Sequence, residues 1–296
     1  MKVAVTGGTG FIGRYILRQL AADGHELKAW KRESSDISGL EALDIDWIEG
    51  SLTNVPSMNQ LVESCDAVVH SALWKPGATF RGGEGQVARF AEVNVVGTLQ
   101  LISAAIEAGV DRFVFLSTCA VHEIILDDRP LDEAHPLWTT HHYGAHKAAI
   151  EQFVHSFGFG QAYNISALRP TGVYGVNRPV ERSKWFDLVR EVASGSKVRV
   201  KGGGKEVHAA DVARAVAILL NAEDTAGHCF NCYDRYIAQI EVAQIAKELS
   251  GSDAIIAGEP KQPKHEIETK KIRALGMEFG GTPLLRETIG KLIDSD

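Results

Sequence analysis

The chain opens on the apolar run Val3-Ala4-Val5, passes through glycines at 7, 8, 10 and 13, and continues with Ile12, Ile16, Leu17 and Leu20 at helical spacing. The run reads as a buried strand, and the spaced positions as an amphipathic helix laying one face on it. The same alternation recurs up to residue 170. Further strands are expected at Glu26 to Trp30, near Asp46 to Glu49, at Ala67 to Ser71, at Arg112 to Ser117 and at Asn164 to Leu168, the last running into Arg169-Pro170. Helical stretches separate them, the longest from about Val87 to Ala108. Strands alternating with helices build right-handed βαβ units, so the fold class is α/β with a doubly wound parallel sheet.

After Pro170 the pattern shortens. Helices are expected near Trp185 to Ser194, Asp211 to Leu220 and Glu241 to Leu249, a strand at Lys197 to Val200, and terminal helices near Glu266 to Leu275 and Leu284 to Ile293. This divides the chain into a nucleotide-binding domain, residues 1–170, and a smaller C-terminal substrate lobe, 171–296, with some segments returning to the main sheet. No internal repeat or low-complexity stretch is visible.

Composition narrows the class. A chain of 296 residues can bury one large α/β core plus a smaller lobe. A net charge of −7, with no basic block, argues against a nucleic-acid partner. No apolar run reaches the ~20 residues of a membrane span. With a strand starting at residue 2, no secretory leader is expected, and a cytoplasmic location follows. The four cysteines include Cys229-Phe-Asn-Cys232, a spacing open to redox or zinc chemistry. Its apolar, strand-like setting favours small core residues instead. The histidines at 135, 141, 142 and 146 lack a carboxylate partner pattern and are expected at the surface, with no metal site.

Three pieces carry chemistry. Gly7, Gly10 and Gly13 follow a strand and open a helix, the setting in which glycines allow a sharp turn and close approach to a dinucleotide pyrophosphate. The N–H groups at the helix start then face the phosphates. The second piece is Tyr143-Gly-Ala-His-Lys147, whose spacing of four puts phenol and ammonium on one helix face. A phenol ordinarily ionises near ~10, and a neighbouring ammonium is expected to lower that value. Such a phenol can exchange a proton with an alcohol or carbonyl. Third, Ser117 and Thr118 end the fifth strand, where a hydroxyl can bond a reacting oxygen. Ser117 also suits a purely structural role at the strand end.

These motifs together resemble the extended short-chain dehydrogenases/reductases, the NAD-dependent epimerase/dehydratase family. Thr6 to Gly13 resembles its cofactor loop, Asp66 to Ala72 its fourth-strand motif, and Asn94 to Thr98 the helix motif that steadies the sheet. Leu168 to Gly175 is similar to its loop beside the nicotinamide, and Val207 to Ala213 to the opening of its late helix. The resemblance implies a Rossmann-type fold and an NAD(P)-dependent hydride transfer at a secondary alcohol or ketone of a sugar or nucleotide sugar. It implies Thr118, Tyr143 and Lys147 as catalytic residues. Cofactor contacts are implied at Gly7, Thr9, Gly10, Phe11, Ile12, Gly13, Lys31, Arg32, Ser51, Leu52, Ser71, Ala72, Asn94, Ser117, Tyr143, Lys147, Arg169 and Pro170. It also implies pairing of the helices at 87–108 and 143–157 across a homodimer.

The chain departs from the family in ways that bear on specificity. The position after the third strand, often aspartate, is Ser51. The second strand ends in Trp30-Lys31-Arg32 rather than in an acid that would accept the ribose hydroxyls. Two cations there suit a 2′-phosphate, so NADP is favoured over NAD. Nucleotide-sugar enzymes of the family carry an arginine shortly before the late Val-His pair, and Lys201 to His208 has none. Lys205, Arg178, or Arg81 on the glycine-rich loop after Trp74, are then the candidate substrate contacts, with Trp74 and Thr118. An NADPH-dependent reductase of a small carbonyl is the alternative activity. A protein that only senses the dinucleotide is a third, disfavoured by the intact tyrosine–lysine pair.

Overall fold

The computed structural model describes residues 1–295 apart from Ala78 and Phe80, both in the loop after Trp74. The chain forms two compact units. One comprises Met1–Pro170, Val212–Cys232 and Glu268–Met277; the other comprises Thr171–Asp211, Tyr233–Ile267 and Glu278–Asp296.

The first unit is built on a parallel seven-stranded sheet. Its strands are β1 (Lys2–Thr6), β2 (Glu26–Lys31), β3 (Ile45–Glu49), β4 (Ala67–His70), β5 (Arg112–Leu116), β6 (Asn164–Pro170) and β10 (Cys229–Cys232). They run in the order β10-β6-β5-β4-β1-β2-β3. The order reverses direction between β1 and β4, the place where doubly wound sheets hold ligands. Val3, Ala4 and Val5 are fully buried in β1, as a central parallel strand requires. Cys229 and Cys232 are buried free thiols on β10, so the Cys-x-x-Cys pair belongs to the core.

Helix α1 (Phe11–Ala22) buries Ile16, Leu17 and Leu20 and ends at Asp23-Gly24. Helix α2 (Val55–Val62) is capped by Asn54, whose side chain accepts from the Ser57 N–H at 3.1 Å. The long stretch expected over 87–108 is helical but not uniform. A π turn at Glu92–Val96 joins α3 (Val87–Ala91) to α4 (Gly97–Glu107). Helix α5 (His142–His155) follows a 3₁₀ turn at Cys119–Val121 and an irregular segment, and runs into a second π turn at Ser156–Gly160.

The second unit is organised differently. Strands β7 (Gly172–Tyr174), β9 (Gly203–His208) and β11 (Arg235–Ala238) form a small sheet in the order β11-β9-β7, and β8 (Lys197–Arg199) pairs with β12 (Ile255–Ala257). Helices α6 (Phe186–Ala193), α8 (Gln239–Ser250) and α10 (Gly281–Ile293) pack around a core that includes Tyr174, Val189, Val242 and Leu285. Helix α7 (Ala209–Asn221) begins in the second unit and continues in the first, and the helix expected at 266–275 is confined to α9 (Lys270–Ala274).

Candidate active site

The functional groups of the first unit gather at the carboxyl ends of β1, β2, β4 and β5. Gly7 takes a φ of +72°, and a Cβ there would lie 2.7 Å from the Ala72 nitrogen. A Cβ on Gly13 would collide with the Gly7 carbonyl oxygen. Both positions therefore need glycine, and together they draw α1 tightly onto the turn. The first turn of α1 holds no acidic side chain, and its N-cap, Gly10, provides no side-chain cap. The N–H groups at a helix start have no intrahelical partner, so this cradle fits a pyrophosphate.

Arg14 fastens the cradle to the loop after β2. It is buried and donates to the backbone oxygens of Thr9 at 3.1 Å, and of Asp36 and Ser38 at 2.5 Å each. Lys31 ends β2 and Arg32 opens that loop, so both cations lie next to the end of β1. Ser51 shares a hydrogen bond with Thr53 at 3.1 Å, and Leu52 is buried.

A neutral polar cluster supports the cradle from β4. Thr98 Oγ1 donates to the Asn94 carbonyl at 2.6 Å, leaving its lone pairs to His70 Nε2 at 2.8 Å. That assigns the His70 proton to Nε2, and Nδ1 accepts from Thr6 Oγ1 at 2.6 Å. Burial pushes the His70 imidazole down to about 3, so it stays neutral. Ser71 Oγ donates to the Thr6 carbonyl at 2.7 Å. The Asn94 amide is bonded to both backbone groups of Trp74, at 2.8 and 2.9 Å, and to the Phe90 carbonyl at 3.0 Å. The Asn94 side chain thereby shapes the loop carrying Ser71, Ala72 and Trp74.

Helix α5 brings the catalytic candidates to the end of β5. His141 caps the helix, its Nδ1 accepting from the Gly144 N–H at 2.8 Å while Nε2 faces Glu123 at 3.2 Å. Tyr143 reaches Thr118 through a side-chain hydrogen bond. Lys147 is buried, donates to the Leu116 carbonyl at 2.6 Å and lies 4.4 Å from the Phe115 ring centroid. The ionisation pattern corrects the sequence expectation. Burial pushes the Tyr143 phenol up, with the Thr118 hydrogen bond opposing, while burial pushes the Lys147 ammonium down to about 7 against the pull of Glu151. In this dry setting desolvation outweighs any help from ammonium to phenol.

A charged cluster lies directly behind. Glu151, one turn beyond Lys147, forms a fully buried ion pair with Arg169 at 2.7 Å and bonds Ser117 Oγ. Arg169 also donates to His122 Nε2 at 3.2 Å and to the Glu133 carbonyl at 3.2 Å. The side chains of Ser117 and Arg169 are thus tied to Glu151 and buried. Pro170, at the end of β6, is buried as well.

Other expectations also change. His135 and His146 are buried, not at the surface: His146 meets the Phe90 ring edge-on at 4.9 Å, and His135 bonds the Pro130 carbonyl and the Leu126 N–H. Arg81 is paired with Glu123 at 2.8 Å, and Glu84 accepts from the Tyr143 N–H at 3.1 Å. Glu84, Glu123, His122 and Glu151 carried no role in the sequence reading. Only Glu151 leaves a trace there, as a charge four residues beyond Lys147 on the buried helix face.

Arg178 and Lys205 belong to the second unit. Arg178 precedes a cis Pro179, and Lys205 lies on β9 opposite Tyr236. Beside it, Glu206 is buried and paired with Lys184 at 2.5 Å, and its carboxylate packs against the bare Cα of Gly204.

A model of the NAD dependent epimerase/dehydratase family matches residues 3–232. The mouse (Mus musculus) dTDP-D-glucose 4,6-dehydratase is 29% identical over 265 residues, spanning 84% of this chain and 72% of its own. The 4-hydroxy-2-methyl-3-oxo-4-farnesyl-3,4-dihydroquinoline-1-oxide ketoreductase of Stigmatella aurantiaca is 31% identical over 195 residues, 64% of this chain and 55% of its own. In structure, the Thermotoga maritima UDP-glucose 4-epimerase superposes with a TM-score of 0.81 at 22% identity, covering 99% of this chain and 98% of that one. The Thermus thermophilus UDP-glucose 4-epimerase, in complex with NAD, gives 0.80 at 22% identity with both chains fully covered. The structural likeness is one of fold.

Proposed function

The chain belongs to the NAD-dependent epimerase/dehydratase family, and from that premise we propose that it transfers hydride at a secondary alcohol or ketone carbon of a sugar or nucleotide sugar, as an epimerase or dehydratase. The observation that carries this reading is the convergence of Tyr143, Thr118 and Lys147 at the end of β5, in the same sheet as the glycine cradle. NAD(P), when bound, supplies the hydride acceptor and donor. Tyr143 Oη moves the proton of the substrate oxygen, and Thr118 Oγ1 orients that oxygen. Lys147 Nζ holds the ribose, and the N–H groups of the cradle hold the pyrophosphate.

Lys31 and Arg32 at the end of β2, with no acid in their place, support NADP over NAD. Candidate substrate contacts are Trp74, Arg81, Arg178 and Lys205. A homodimer through the helices of 87–108 and α5 is supported by the exposed Val96, Ile106 and Phe153, and sedimentation would test it. Among the described residues no helix is long and apolar enough to cross a membrane.

A second reading, an NADPH-dependent reductase of a small carbonyl, is favoured by one feature. Where an arginine could grip a diphosphate ahead of Val207-His208, the chain has Gly204 covered by the Glu206 carboxylate. That carboxylate is neutralised by Lys184, so the place offers no guanidinium to a diphosphate.

The test pairs Tyr143→Phe with a substrate panel. Loss of the proton-transferring hydroxyl is expected to lower turnover by about 10²- to 10⁴-fold, with nucleotide affinity retained. Unchanged turnover would remove Tyr143 from the mechanism. Nucleotide released from the denatured protein, identified by mass spectrometry, separates the two activities. Stoichiometric NAD favours epimerase or dehydratase chemistry, whereas an empty protein preferring NADPH favours the reductase.

A further inference from the structure

Three residues at four-residue spacing on α5, Tyr143, Lys147 and Glu151, attach to three consecutive residues, Leu116 at the end of β5 and Ser117 and Thr118 just beyond it. Tyr143 bonds Thr118, Lys147 bonds the Leu116 carbonyl and Glu151 bonds Ser117. Only Glu151 also reaches a second strand: Arg169 on β6 donates from Nε at 3.0 Å and from its terminal nitrogen at 2.7 Å. Side-chain exposure is 0% for Glu151 and 1% for Arg169, so this fork is sealed from solvent.

We propose that Glu151, braced by Arg169, is a positioning residue of the site: it sets the register of α5 on the ends of β5 and β6 and supplies the counter-charge that the Lys147 ammonium faces. The inference rests on the reading of Lys147 as the ribose-holding residue. The groups around Lys147 are few. From α5 come His146 and Glu151 and from β4 His70, with Arg169 of β6 paired to Glu151. Burial holds His70 and His146 neutral, at about 3 and about 2. Among the described residues Glu151 is the anion acting on the ammonium, which burial has already brought down to about 7. Arg169 is the fixed cation paired with that carboxylate.

Replacing Glu151 by Gln keeps the shape and removes the charge, so Lys147 is expected to lose its proton at lower pH. Replacing Arg169 by Gln removes the opposing cation and is expected to move Lys147 the other way. The experiment follows the Lys147 side-chain ¹³Cε resonance through a pH titration of the full chain, assigned with Lys147→Arg. Wild type, Glu151→Gln, Glu151→Asp and Arg169→Gln are compared, with circular dichroism and thermal melting to verify folding. The expected midpoints are lower by about one pH unit for Glu151→Gln, higher for Arg169→Gln, and close to wild type for Glu151→Asp. NADH and NADPH titrations on the same proteins add a functional readout. Glu151→Gln is expected to bind roughly tenfold more weakly near neutral pH and to recover on acidification. An unmoved Lys147 midpoint in whichever charge-removing variant folds, or a loss of affinity uniform in pH, overturns the proposal. If wild type binds neither nucleotide, the proposed function fails, while the Lys147 midpoints still decide this inference.

Discussion

The cluster around His70 and the cluster around Glu151 lie two strands apart in one sheet, and both fasten a loop or helix to strand ends. Thr6, His70, Thr98 and Asn94 do this with neutral groups, each proton finding one acceptor along the chain. Ser117, Glu151 and Arg169 do it with full charges in a core that excludes water. Neutral groups ask only for geometry, and a missing member leaves a dipole unsatisfied. A missing member of the charged set leaves an ion in low dielectric, which is far worse. The neutral cluster stands behind the cradle, where only shape is needed. The charged cluster stands behind Lys147, where a field acts on an ionisable group.

The largest expected effect breaks the charged cluster from one side. Arg169→Met or Glu151→Leu alone should cost about 3–5 kcal/mol in urea unfolding, because each strands a buried charge. The double variant Glu151→Leu with Arg169→Met should recover most of that loss. A double variant as unstable as the singles would show that charge pairing is not what the cluster depends on. His70→Leu should cost less, about 1–3 kcal/mol, since it orphans only the Thr6 and Thr98 hydroxyls. A loss equal to that of Arg169→Met would erase the contrast between the clusters.

Per pH unit, the smallest effect is in acid. His70 and His122 are held down to about 3, and His146 to about 2, from an unfolded value of 6.5, all chiefly by burial. Between those limits the unfolded chain binds the extra protons, so stability is complete above about 6.5 and falls as pH drops. Each histidine should contribute a slope on the order of 1 kcal/mol per pH unit. Unfolding free energies measured from neutral pH downward should fall less steeply for His70→Leu than for wild type.

The first seven-stranded unit was readable because each buried strand is a compact apolar run and each helix has one apolar face. The π turn at Glu92–Val96 left no trace in that pattern. It is held by Asn94 and Thr98 bonding back to Phe90 and Asn94, contacts of polar atoms that periodicity does not register. In the second unit β9 begins Gly203-Gly204 and has no apolar alternation at its start, so its strand character comes from pairing with β7 and β11. In the site, the glycine spacing and the four-residue step from Tyr143 to Lys147 were legible as local geometry. The structural roles of Ser117 and of the Asn94 motif were legible, but their particular partners, and the tie of Arg169 to Glu151, were not, because those partners come from other elements.

Local sequence determined the βαβ order, the glycine cradle that a Cβ would block, and the helix face shared by Tyr143 and Lys147, since each depends on backbone sterics or helical periodicity. Tertiary structure alone decided which buried polar groups meet. It joined Thr6 to His70 across 64 residues and Glu151 to Arg169 across 18. It also decided that Tyr143 and Lys147 would be dry enough for burial to govern their ionisation. Desolvation depends on everything packed around a group, and no single stretch of chain encodes it.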